Sequence, residues 1–366
     1  MRGHFFLSIA LLLGCTAEAR EEPAPLADSS TEVPVVAAAS TDLPAPLSAP
    51  EQAAVAATVD PVLTISAVGD CTLGDPAGSE RAPGSFHKMF EDTGRDLARP
   101  FSGVQAVLGA DDLTIANLEG TLTTAGCRSD VAFAFRGDKA FARMLTLGSV
   151  DVVSLANNHS ADCGQTGVRE TREALKAEGR GYFGLGDVDT RVIKDIEVHN
   201  LGYLGGRRSF GDPMKKDVRR LKRPDNLVIV SFHWGIEGIH DATDVQQGLA
   251  RDAIDAGADL VLGHHPHVLQ GIEEYRGKKI VYSLGNFVFG GNAQPKKLDS
   301  MIFQARFTKQ EGVITPVGYE IVPVRFSGQA AQNDFRPVLL SGDDAERVRA
   351  DVDRYSRALA PPKLKN

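Results

Sequence analysis

Six apolar runs of strand length, at 62–68, 112–116, 150–155, 227–232, 260–263 and 280–284, each stop against glycine and polar side chains. They are rich in Val, Ile and Leu and show little polar alternation, as strands buried on both faces do. Helical patterns lie between several of them: 138–145, then 167–177 with Val168, Thr171, Ala174 and Leu175 at helical spacing, then 245–256 with Val245, Leu249, Ala253 and Ala256 on one face. Strand, polar turn, helix and strand in succession specify an α/β fold with a mainly parallel sheet. After residue 300 the pattern alternates, so 301–307, 314–317 and 319–324 read as antiparallel strands that extend the sheet or form a second one. The stretch 345–359 reads as a solvated terminal helix.

In such sheets ligands bind beyond the carboxyl ends of the strands. Here those ends carry Asp70, Asn157-Asn158-His159, His233-Trp234-Gly235 and His264-His265-Pro266-His267, and five of the nine histidines fall in these segments. One strand end supplies only one or two ligands, so a metal centre has to be collected from several. Asp70, Asn158, His233, His265 and His267 combine carboxylate, amide oxygen and imidazole, a set that suits Mn, Zn or Fe. Pro266 fixes the backbone between two of the histidines. His159 is placed to protonate a leaving group or to hold an oxyanion. Singly, an Asp after a strand caps a turn and an Asn accepts a left-handed backbone. Their convergence on strand ends carries the reading. His264 is left outside the ligand set, and His87, His199 and His240 are assigned surface or core roles.

The amino terminus reads as a targeting signal. Arg2 precedes an apolar run from residue 5 to 13, too short to span a bilayer, which ends in Leu12-Leu13-Gly14-Cys15. That ending resembles a bacterial lipoprotein box, with Cys15 lipidated; the alternative is cleavage near Ala17-Glu18-Ala19. Either route puts the mature chain outside the cytoplasm. Residues 16–60, rich in Ala, Pro, Glu, Ser and Thr, form a disordered tether, followed by a domain at 61–330 and a carboxyl-terminal extension with a helix at 331–366. A net charge of −8 leaves no basic surplus for nucleic acid, which is not expected as a partner. Of the three cysteines after Cys15, Cys127 and Cys163 lie in glycine-flanked loops and are expected to pair, and Cys71 to stay a buried thiol.

The segments AVGDCTLGD, IANLEGTLT, VVSLANNHSADCG, VSFHWGIE, DAGADLVLGHHPHVLQGIE and IVYSLGNFVFG, in this order over roughly residues 62 to 291, resemble the CapA family of poly-γ-glutamate capsule biosynthesis proteins. These in turn resemble calcineurin-like metallophosphoesterases. The resemblance implies a four-layer αββα sandwich with its site at one end. It adds Glu119 to the metal ligands and makes Asn158 and His159 the catalytic pair. It assigns Asn117, Trp234, Glu237 and Asn286 to substrate binding, with Phe287 beside them. The phosphoesterase motif Asp-x-His reads Asp70-Cys71-Thr72 here, and the usual bridging Asp gives way to Asn117-Leu118-Glu119. One or two ions, a shifted centre or a non-catalytic site remain open on that count. The implied partners are an anionic extracellular polymer or a phosphate-bearing envelope substrate, the membrane through the lipid anchor, and membrane subunits of a polymer synthetase. Three functions are consistent with these features: a membrane-anchored protein of polymer biosynthesis, export or anchoring; a metal-dependent phosphoesterase; and a non-catalytic polymer- or partner-binding module.

Overall fold

Two large sheets take up the apolar runs in the computed structural model, which describes residues 61–359 and residue 361. The expected signal segment with Cys15 and the expected tether at 16–60 lie outside the described residues. In the first sheet the strand order is Val338–Leu339, Val313–Arg325, Asp299–Gln310, Leu63–Thr72, Leu113–Leu118, Val152–Ser154 and Gly181–Phe183. The last four of these run parallel, and Asn286–Phe289 joins the far end of Leu63–Thr72. The second sheet runs Ile272–Tyr275, Lys278–Val281, Leu260–His264, Asn226–His233, Ile196–Leu204 and Asp189–Ile193, parallel except at its two edges.

Side-chain alternation sorts the core into three layers of packing. Along Asn226–His233, Leu227 and Ile229 point one way and Val228 and Val230 the other. The first pair meets Ile65, Ala67, Ile115 and Val152 of the other sheet. The second pair packs on Met214 and Val218 of the helix Gly211–Leu221 and on Leu249 and Ala253 of the helix Asp244–Ala256. On the far side, Val68, Ala116, Leu118 and Val153 meet Phe86, Met144, Leu145 and Leu175 from the helices Phe86–Asp92, Ala142–Leu147 and Gly164–Ala177. Helices, sheet, sheet and helices make the expected four-layer αββα sandwich. Burial on both faces explains why the runs carried so few polar residues.

The structure departs from the sequence reading in places. The strand at 62–68 does not stop at Gly69: it continues through Asp70 to Thr72, with an irregular register between Ala67 and Asp70. The alternating segments after 300 form one hairpin within the first sheet. The terminal helix, Gly342–Arg357, is amphipathic rather than wholly solvated: Val348 and Val352 are buried in the core between the sheets. The stretch set apart as an extension thus contributes to the domain's packing. Among the described residues no helix is long and apolar enough to cross a membrane.

Candidate metal centre

The carboxyl ends of the two parallel sets of strands bring one carboxylate from each of two neighbouring strands under a fan of histidines. Asp70 lies near the end of Leu63–Thr72, and its N–H donates to the carbonyl of Gly285 at 2.9 Å. Only glycine fits before it: a Cβ on Gly69 would lie 2.1 Å from the Gly285 oxygen. Next door, the Glu119 N–H donates to the Cys71 carbonyl at 2.8 Å and sets the second carboxylate beside the first. Opposite them, His233 and His264 end adjacent parallel strands in register, and His265 and His267 follow on the turn. That turn is strained: His265 and His267 have φ of 95° and 57°, in the left-handed region that side chains avoid.

His267 Nδ1 lies 3.1 Å from Asp70 Oδ2 and 2.9 Å from Asn286 Oδ1, which leaves Nε2 directed to Glu119 Oε1 at 3.8 Å. His233 Nε2 lies 3.5 Å from the same Glu119 oxygen. Two ligand triads result, Asp70 with Glu119 and His233, and Glu119 with His265 and His267; within each, the donor atoms lie within 4.8 Å of one another. Glu119 belongs to both.

Charge is poorly compensated at this point. Glu119 is 0% exposed, and neither of its oxygens has a hydrogen-bond partner. His233 Nε2, His265 Nδ1 and both ring nitrogens of His264 are likewise buried without one. Burial, with the charges of Asp70, Glu237 and Asp162 behind it, pushes the Glu119 carboxyl well above its ordinary range, against the pull of His267. Burial also acts to raise Asp70, but the His264 and His267 imidazoles set against it hold it well below that range. His233 is lowered by burial, as is His265, with His267 adding to the effect. Burial would lower His267 too, yet Glu119 and Asp70 push it up to about 10. Buried polar groups are rarely left unpaired, and orphaned carboxylate and imidazole atoms converging on one point fit a divalent cation.

His159 stands at the edge. Its Nδ1 is 2.7 Å from Asp162 Oδ2, its Nε2 is 3.9 Å from Glu119 Oε1, and its ring meets Phe135 edge-on at 4.6 Å. Cys163, next to Asp162, is joined to Cys127 by a disulfide, and Cys71 is a buried free thiol that burial pushes up to about 12. Above the cluster opens a cavity of about 470 Å³, lined by Phe133, Phe135, His159, Glu237, His267 and Asn286 among others.

Four assignments need correction. Asn158 is exposed, whereas Asn157 is buried and donates to Asn117 Oδ1 at 3.1 Å and to the Leu118 carbonyl at 2.8 Å. The inward amide is therefore Asn157, and it braces the second carboxylate-bearing strand. Asn117 does not face substrate: fully buried, it donates to Asp70 Oδ1 at 2.9 Å and orients that carboxylate. Trp234 is stacked on Phe232 at 4.5 Å, with its indole N–H on the Tyr282 carbonyl, in the helix-facing core. Phe287 is likewise buried in the opposite core. His264 stays outside both triads, as expected, and contributes as a neighbour of Asp70. His264, whose Nδ1 is 3.3 Å from Asp70 Oδ1, is a fully buried neighbour of the carboxylate for which Thr72 supplies no imidazole. Its place as the last residue of a parallel strand was the available signal.

The sequence profile of bacterial capsule synthesis proteins, PGA_cap, matches residues 64–291, more than half of the chain. Among curated relatives, the PGA biosynthesis protein CapA of Bacillus subtilis (strain 168) is 31% identical over 255 residues, covering 63% of this chain and 64% of its own length. The capsule biosynthesis protein CapA of Bacillus anthracis is 36% identical over 163 residues, covering 38% and 40%. The chain thus spans less than two thirds of either relative. A solved structure, the calcineurin-like phosphoesterase YfkN from Bacillus subtilis, aligns with a TM-score of 0.44 at 12% identity, over 82% of this chain and 100% of that one.

Proposed function

The chain belongs to the bacterial capsule synthesis protein family, PGA_cap, and from that premise we propose that it serves the synthesis of an anionic envelope polymer such as poly-γ-glutamate through a divalent-metal centre. The observation that carries the metal is Glu119, buried without a hydrogen bond and shared by two ligand triads. Asp70, Glu119, His233, His265 and His267 hold the ion, while Asn117, Asn157, Asn286 and His264 orient them, as partners behind a metal's ligands do. Bound there, the ion supplies Lewis acidity toward a phosphoryl or carbonyl oxygen. His159, fixed on Asp162, keeps Nε2 at the cavity to accept or return a proton. Phe133 and Phe135, stacked at 6.2 Å, form an apolar wall beside it. A lipid on Cys15 and the tether after it would hold the domain at the cell envelope.

Elemental analysis of the purified chain tests the centre. Native protein should carry Mn, Zn or Fe, and His265→Ala and His267→Ala should each lose most of it; unaltered stoichiometry in both sinks the ligand assignment. In cells, the same variants should fail to restore surface polymer to a strain lacking the gene. Labelled palmitate should enter the native chain and not Cys15→Ala. A second reading, a metal-dependent phosphoesterase, is favoured by the His159–Asp162 pair at the cavity edge. Turnover of an aryl phosphate that needs added metal and vanishes in His233→Ala would select it.

A further inference from the structure

The cavity above the metal cluster shares Val268, Lys296 and Lys297 with a second cavity of about 430 Å³. The second is lined also by His240, Asp299, Arg325, Arg347 and Tyr355. In a chain of net charge −8, the two cavities together carry Lys296, Lys297, Arg325 and Arg347 against two carboxylates, Asp299 and Glu237. Arg347 is already engaged, with Asp299 at 2.8 Å and Asp351 at 3.5 Å. The other three are not neutralised. Lys296 forms no ion pair or hydrogen bond among the described residues. Lys297 Nζ lies 2.6 Å from His240 Nε2, whose other nitrogen is 2.8 Å from the Leu269 carbonyl. That imidazole therefore accepts from the ammonium without cancelling its charge. Arg325 has no ion pair among the described residues, and its Nε is buried with no hydrogen-bond partner.

Buried or clustered cations with no carboxylate of their own are a recognition element for anions. Either cavity is large enough for a small ligand by itself, so a compact phosphate ester would need only the one over the metal cluster. Two cavities joined at a pair of lysines suit a chain with an acid group on each unit. The second cavity also offers no free aromatic platform for a nucleobase, since Tyr355 is already stacked on His240 at 4.5 Å.

We propose that the two cavities form one trough for consecutive units of a linear polycarboxylate, with one unit over the metal cluster and its neighbours' carboxylates on Lys296, Lys297 and Arg325. This rests on the polymer reading above and adds the path the chain takes past the site. Binding then grows with oligomer length.

Fluorescently labelled glutamate oligomers of two, five and ten units, titrated by anisotropy against the full chain in manganese buffer, test the trough. The ten-unit oligomer should bind roughly tenfold more tightly than the two-unit one, the sum expected of a few partly exposed charge contacts. The triple variant Lys296→Gln/Lys297→Gln/Arg325→Gln should lose that gain, binding all three lengths alike, while keeping native metal content. The double variant Lys296→Gln/Lys297→Gln, confined to the shared wall, should lose most of it with an unchanged melting point. Equal affinity for all lengths, or a length effect that survives in the triple variant, overturns the trough and leaves the polymer reading standing. Tighter binding of a ten-base oligothymidylate than of the ten-unit glutamate overturns the polycarboxylate assignment. Failure of native protein to bind any acidic oligomer sinks both.

Discussion

Replacing Glu119 by Gln separates a metal ligand from a carboxylate that is merely buried. In chelator, the native carboxylate is a liability, with both oxygens buried and unpartnered. Its folded-state pKa is raised, so the folded chain takes up a proton there that the unfolded chain releases. Stability from that proton is complete below about pH 4 and is lost as pH rises toward and through the raised folded value. At pH 7.5 the native chain therefore bears a penalty that an amide of the same shape avoids. An uncompensated buried carboxylate costs more than a buried amide, which can also donate to the imidazoles around it, so Glu119→Gln should stabilise the metal-free protein by about 1–3 kcal/mol. For a domain of about 300 residues the melting point should rise by roughly 2–5 °C. Metal works in the opposite direction. An ion at about one hundred times its dissociation constant adds about 2.7 kcal/mol to the native chain, and less to a variant that has lost the shared ligand. Differential scanning fluorimetry in chelator and across a manganese or zinc titration reads both limbs. If Glu119→Gln melts no higher than native in chelator, and both respond equally to metal, the assignment of Glu119 is wrong.

Three further perturbations probe what holds the site. Gly69→Ala would drive a methyl to 2.1 Å from the Gly285 carbonyl and force apart the strands that place Asp70 and Asn286; a loss above about 3 kcal/mol in urea unfolding is expected, and one below about 1 would show that the strands yield cheaply. Removing the Cys127–Cys163 bridge, which spans 36 residues, should cost about 4 kcal/mol by loop entropy, read as a shift in the denaturation midpoint between native and double-serine chains. Burial, with Asp151 and Asp112 nearby, pushes Asp111 up to about 6 despite hydrogen bonds from Ser66 and Thr114. The stability its proton contributes is present below about pH 4 and lost as pH rises through about 6. Asp111→Asn should therefore melt above native at pH 7.5, by about 1–2 kcal/mol once solvent screening is allowed for, with the gap closing toward pH 4. A gap that does not change with pH refutes that account.

The sequence alone determined an α/β fold with buried, mainly parallel strands and the end at which the site lies, while the four-layer sandwich was implied by the family resemblance. Two-sided burial writes itself into a strand as an unbroken apolar run, and a parallel sheet collects the residues after each run at one edge, so Asp70, His233 and the His265–His267 pair were legible before any coordinates. Less apolar elements were not: Asp189–Ile193, Ile196–Leu204 and Gly211–Leu221 have one exposed or polar face and gave no clear run. Tertiary structure decided which of two neighbours faces inward. Asn157 and Asn158 sit on one turn, where side-chain direction depends on a few backbone angles and on what packs beneath; only the Leu118 carbonyl and Asn117 select Asn157. Trp234 follows His233 by one position, and the core below it, not its polar neighbours, claimed its ring. The uncompensated cations of Lys296, Lys297 and Arg325 come from segments separated in sequence, and only the packing of the hairpin beside the His-Pro-His turn joins them in one trough. Local pattern fixes what lies along a strand; direction at its end, and charge summed across strands, are set by packing.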